Sequence, residues 1–124
     1  MTSLIKVDNI APSAGGTEFS LTRGVTKVWA NFNGSGTVTI QNSENVSSIT
    51  DNGTGDYSLN ITSSFDYATY VTGGSAGPNS VDYTQSDIRP MTKTASIFRF
   101  ASVYGSSTRF DYSDISALVI GDLA

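Results

Sequence analysis

Val46-Ser47-Ser48-Ile49-Thr50-Asp51-Asn52-Gly53-Thr54-Gly55-Asp56-Tyr57-Ser58-Leu59-Asn60-Ile61-Thr62 decides the fold. Val46 to Thr50 and Asp56 to Thr62 are β-rich runs on either side of Asp51-Asn52-Gly53-Thr54-Gly55. Asn-Gly is a turn dipeptide that accepts positive φ, so the segment is a β-hairpin. In its second arm Tyr57, Leu59 and Ile61 fall at period two, on one face, with polar residues between them. Just upstream, Val25 to Phe32 puts Val28, Ala30 and Phe32 on one face and Lys27, Trp29 and Asn31 on the other. Asn33-Gly34-Ser35-Gly36 then turns the chain into Thr37 to Gln41, with Val38 and Ile40 inward.

Working outward, Thr17 to Thr22 reads as a strand carrying Phe19 and Leu21. Tyr67 to Thr72 reads as a strand, Gly73 to Ser80 as a loop by composition, and Val81 to Gln85 as a short strand. Ser86 to Thr92 is expected to be an irregular connection broken by Pro90. Ala95 to Tyr104, Thr108 to Tyr112 and Ile115 to Ile120 complete the strands. No segment shows the 3.6-residue period of an amphipathic helix. The expectation is an antiparallel, jelly-roll-like β-sandwich over residues 17–124, preceded by an extended N-terminal arm over residues 1–16. That arm carries Leu4, Ile5, Val7 and Ile10, which need the core or a neighbouring subunit to bury them.

Composition supports this reading and removes several functions. In 124 residues, hydrophobic side chains make up 38% and charged ones 15%, against the usual values of about 45–50% and 25%. Ser, Thr, Asn and Gly fill the gap, which favours short strands and many turns. A net charge of -4 with scattered Lys and Arg argues against nucleic acid as a partner and against membrane-surface binding. No apolar run reaches the length of a membrane span, and the N-terminus lacks a signal-peptide core. Synthesis in the cytoplasm without a cleaved signal is therefore expected. The chain has no Cys, so durability has to come from elsewhere, and oligomerisation is one route.

With no His and no Cys, Ser-His-Asp and Cys-His catalysis and ordinary zinc sites are out of reach of one chain. Glycoside hydrolysis needs two carboxylates, for which Asp82/Asp87 and Asp111/Asp114 are the candidates. Acids scattered in an acidic β-protein are more often solvated turn residues, and the expectation is that this is not an enzyme and takes no cofactor. Asp51 to Asp56 invites a calcium reading, with two carboxylates and an Asn oxygen in a tight loop, but calcium takes about six to eight oxygens and the EF-hand pattern with its closing Glu is missing. A turn in which Asp51 accepts backbone N–H bonds accounts for the same residues. Trp29 is either a core or subunit-interface anchor or a sugar-stacking platform. Tyr67, Tyr70, Tyr83 and Tyr104, with Asn79, flank or approach the Gly/Ser-rich loops and are the ligand-contact candidates.

The segment from Val25 to Thr62 resembles a domain of tail-fibre and related virion proteins of tailed bacteriophages, notably marine and cyanobacterial ones. Lys27, Trp29, Asn31 to Gly34, Gly36 to Val38 and Asn45 to Tyr57 carry the likeness, and the opening Leu4 to Ile10 also looks like the start of short phage fibre proteins. The resemblance implies a homotrimeric virion component that contacts a host surface, with other virion proteins as partners and a host surface glycan as ligand. It carries over no catalytic residues. Leu4, Ile5, Val7, Ile10 and Trp29 are then the docking candidates, and Tyr70, Asn79, Tyr83 and Tyr104 the glycan contacts. A capsid decoration (cement) or tail-joint protein with no host ligand is the alternative.

Overall fold

A computed structural model describes residues 3–11, 13–17, 19–21, 25–77 and 86–124, and every regular element among them is a β-strand. In chain order these are β1 (Asn9–Ile10), β2 (Phe19–Ser20), β3 (Thr26–Asn33), β4 (Thr39–Glu44), β5 (Val46–Asp51), β6 (Asp56–Ile61), β7 (Val71–Gly77), β8 (Ser86–Lys93), β9 (Ile97–Tyr104), β10 (Thr108–Arg109) and β11 (Asp114–Ile120). The Asn-Gly hairpin is present. Asp51 Oδ1 accepts the Gly53 N–H at 2.9 Å, Asp56 N–H donates to the Gly53 carbonyl, and Thr50 faces Ser58 across β5 and β6.

All strand pairings among the described residues are antiparallel, and they build two main sheets. One has the order β4-β3-β11-β7. In the other, β5, β6, β9 and β8 lie side by side, with β10 extending the β6 edge of β9. Asn45, at φ 56, carries the chain from β4 to β5, that is, from one sheet to the other. Asn tolerates this left-handed conformation better than most side chains.

The alternation seen in the sequence sets the inner faces. Val28, Ala30 and Phe32 of β3 and Ile115, Ala117 and Val119 of β11 meet Tyr57, Leu59 and Ile61 of β6 and Phe98 and Phe100 of β9 in one apolar cluster. The arrangement is a sandwich-like all-β fold. Phe32, Tyr57 and Phe100 form its aromatic centre, with the Phe32 and Tyr57 rings edge to face at 5.1 Å. Val38 and Ile40 pack against the same cluster.

Two stretches depart from the sequence expectation. Gly73 to Gly77, expected as loop, belongs to β7 and pairs in register with β11, Gly73 facing Leu118 and Gly74 facing Ala117. A Cβ on Gly74 would collide with the Ser116 carbonyl and with Ile88, so glycine here permits close backbone approach. The expected strand at 67–72 correspondingly begins only at Val71. Ser86 to Thr92, expected as irregular, lies within the eight-residue β8 (Ser86–Lys93). It lies at a sheet edge, and its register shifts between Pro90 and Thr92. An edge position and a bulge are where a strand accepts a residue with no N–H to give. The short strand expected at Val81 to Gln85 lies outside the described residues.

β1 and β2 form a separate two-stranded sheet, extended by Leu21 N–H donating to the Asp8 carbonyl. Leu4, Ile5, Val7 and Ile10 are all exposed, Ile5 at 84%.

Candidate ligand-binding cleft

The end of the chain folds back beside residues 64–66. Phe65 bridges to Leu123, Asp66 N–H donates to the Asp122 carbonyl, Ala124 N–H donates to the Ser64 carbonyl, and Phe65 N–H donates to the Ala95 carbonyl. These bonds place Phe65 against Tyr70, ring centroids 4.9 Å apart. Gly121 closes the third side, where a Cβ would sit 3.0 Å from Tyr70 Cβ and 3.1 Å from Phe65 Cδ1. The result is a cleft of about 370 Å³ lined by Phe65, Tyr67, Thr69, Tyr70, Val71, Ile120, Gly121 and Asp122.

Tyr70, expected to touch a ligand, is a core residue instead. It is 4% exposed, its hydroxyl donates to the Ile97 carbonyl at 2.9 Å, and its ring meets Phe98 edge to face. Burial pushes its hydroxyl up to about 12. Lys93 clamps it from outside, with Nζ donating to the Tyr70 carbonyl and lying 5.3 Å from the ring centroid. Tyr70 therefore supplies the rigid floor, and the ring available to a ligand is Tyr67, 73% exposed at the rim. Apolar contact from Tyr67 and Val71, with Thr69 and Asp122 as polar groups, fits a polyhydroxylated ligand that has one apolar face.

Of the other candidates that are described, neither Tyr104 nor Trp29 lines this cleft. Tyr104 is exposed at the far end of β9 from Ile97, the residue that holds the Tyr70 hydroxyl. That separation is roughly 20 Å at about 3.3 Å per residue. Tyr83, Asn79 and Asp82 lie outside the described residues. Trp29 is half-buried on the outer face of the first sheet, between Glu44 and Leu118. Phe65, Gly121 and Asp122 were not singled out in the sequence, because nothing local joins positions 65 and 121.

A larger polar groove of about 530 Å³ runs past Lys27, Glu44, Asn45 and Ser63. It is a weaker candidate. The Asn45 side chain is spent on both backbone groups of Ser63, at 2.7 and 3.1 Å, and no aromatic ring lines it.

Asp111, Asp114 and Asp56 act as structural acceptors. Asp111 Oδ1 takes the Gly55 N–H at 2.6 Å and lies 2.7 Å from the Tyr57 hydroxyl, and Asp114 takes the Asn31 amide at 2.6 Å. Asp56, one of the oxygens of the calcium reading, is 2% exposed and bound by guanidinium groups. Arg99 grips it through Nε and Nη2, both at 2.9 Å, and Arg109 through Nη1 at 2.7 Å. Among the described residues no group of three or more His, Cys, Asp or Glu could hold a metal.

The Arg99 hydrogen bonds, helped by the charges of both arginines and opposed by burial, hold the Asp56 carboxyl below its ordinary 3.8. A depressed folded value means that its contribution is present in full above the unfolded value and is lost as pH falls below it. Asp56→Asn is expected to cost about 1–3 kcal/mol at pH 7, toward the lower end because both guanidiniums keep contact with water. Urea denaturation of wild type and variant should converge as pH falls below about 3.8. A constant gap from pH 7 to pH 2.5 would refute the assignment.

Compared with protein-family models, curated proteins and solved structures, the chain matches none of them.

Proposed function

We propose that this chain is a structural component of a tailed-phage particle that attaches to glycan on a host surface, with the cleft at Tyr67 as its contact. The exposed Tyr67 ring above the fixed Phe65–Tyr70 floor carries the glycan reading. The resemblance of Val25 to Thr62 to phage fibre domains supports the setting. In this reading the protein is a binding module rather than an enzyme, found in the virion as a homotrimer. Its N-terminal segment docks through Leu4, Ile5, Val7 and Ile10, whose exposed apolar side chains gain by burial in an assembly. Trp29 and Leu118, neighbours on the outer face of the first sheet, offer a matching apolar surface. Copies held together also convert weak single-site contacts into useful avidity.

The test is a glycan array with wild type and Tyr67→Ala. Because Tyr67 is so exposed, the substitution should change stability by no more than about 0.5 kcal/mol. Glycan binding should nevertheless fall about tenfold or more, as expected when an aromatic anchor is lost. Equal binding by both proteins would remove the cleft from the proposal.

The alternative, a decoration or tail-joint protein with no host ligand, is favoured by the same exposed apolar N-terminal residues. Electron microscopy of particles labelled with an antibody against this chain separates the two. Signal at the distal tail supports adhesion. Signal spread evenly over the capsid overturns it in favour of decoration.

A further inference from the structure

The outer face of the β5-β6-β9-β8 sheet carries one guanidinium in each of three successive rows. Arg99 stands between Ser58 and Thr92, Arg89 shares a row with Ala101 and Asp56, and Arg109 shares one with Val103 and Asp87. Residues two apart on a strand recur about every 7 Å, which sets the spacing of the rows. Ala101 and Val103 are buried beneath this face, yet the three arginine side chains remain 40–45% exposed. They are also held in place. Asp56 fixes Arg99 and Arg109 from below, while Arg89 donates to the carbonyls of Gly105 and Ser106 and has Nε 3.7 Å from Asp87. Among the described residues, three guanidiniums against two carboxylates leave a local positive excess on a chain whose net charge is -4.

Hydroxyl and amide groups continue the surface along β5 and β6. The Asn60 amide donates to Ser48 Oγ and Thr50 Oγ1, and Asn52 donates to Ser58 Oγ. Fixed donors for anions beside an ordered array of polar groups match a polymer that bears both acidic and hydroxyl groups. We infer that this face binds an acidic polysaccharide, its carboxylate or sulfate groups engaging Arg89 and Arg109, with Arg99 on β9, the strand between theirs. Guanidinium forks suit such planar or tetrahedral oxyanions, and ordering them in advance lowers the entropic cost of binding. A nucleic acid fits less well, because the rows bearing the guanidiniums present no aromatic ring for base stacking.

Affinity electrophoresis tests this with gels containing alginate (a polyuronate), dextran sulfate or neutral dextran, and with a single-stranded DNA oligonucleotide as competitor. Wild type should be retarded by one or both acidic polymers and not by neutral dextran. Arg89→Gln and Arg109→Gln should each weaken that retardation at least threefold, and the double variant at least tenfold. Arg99 is spared because it makes the two-bond grip on buried Asp56, and thermal unfolding confirms that the variants stay folded. Lys6→Gln, which removes the same unit charge from an exposed position outside this sheet, should retain full retardation, and the glycan array with Tyr67→Ala reads the cleft separately. No retardation of wild type, unchanged retardation of the folded double variant, or tighter binding to DNA than to either acidic polymer would overturn the inference.

Discussion

Tyr57→Ala is expected to destabilise the domain by about 3–5 kcal/mol, the range for removing a buried aromatic ring from a core. The side chain is fully buried, its ring packs against Phe32 and Phe100, and its hydroxyl lies 2.7 Å from Asp111 and 3.0 Å from the Gly34 carbonyl. Burial first, and the Asp111 carboxylate next, push the hydroxyl well above the ordinary phenol range, so it stays a donor. Tyr57→Phe keeps the ring and removes the donor, and should cost about 1–2 kcal/mol. Half-exposed Asp111 retains the Gly55 N–H and can draw on water. Urea midpoints at constant m-value measure both losses. A Phe variant as unstable as the Ala variant would show that the hydrogen bond, rather than the ring, holds the centre together.

That centre was legible in the sequence because it is periodic. Tyr57, Leu59 and Ile61 alternate with polar residues, as do Val28, Ala30 and Phe32, and all six face the core. The Asn52-Gly53 turn was legible for a different reason, since turn chemistry is local. Legibility ended where long-range pairing overrode a local signal. Gly73 and Gly74 read as loop until β11 lies beside them, and Pro90 reads as a break until β8 is known to be an edge strand. The contact sites behave the same way. Exposed tyrosines near loops could be named, but Tyr70 is buried only because Phe65, Phe98 and Lys93 converge on it. Asp56 looked like part of a turn, and its arginine partners lie 43 and 53 residues away. No period or motif encodes such pairs.

Gly55→Ala is the substitution expected to rival Tyr57→Ala, for reasons that concern backbone rather than side chain. Gly55 has φ +59, where an L-residue is disfavoured by about 1–2 kcal/mol. A Cβ there would also lie 2.6 Å from both Phe110 N and Ser102 O. Neither atom is the end of a flexible side chain, so relief requires β9 and the segment at Phe110 to move away. That movement strains bonds converging on this point: Gly55 N–H to Asp111, Ser102 N–H to the Gly55 carbonyl, and Phe110 N–H to the Ser102 carbonyl. Overpacking of this kind adds about 1–3 kcal/mol, for a total of roughly 2–5 kcal/mol. Gly36→Ala supplies the control, because Gly36 has φ +72 with nothing within 4 Å of its would-be Cβ. It should lose only the conformational part, about 1–2 kcal/mol. The difference between the two, read from urea midpoints, isolates the close approach of Gly55 to β9. Equal losses would mean that the hairpin turn yields without disturbing the strands it joins, and the tight packing assigned to this corner would be wrong.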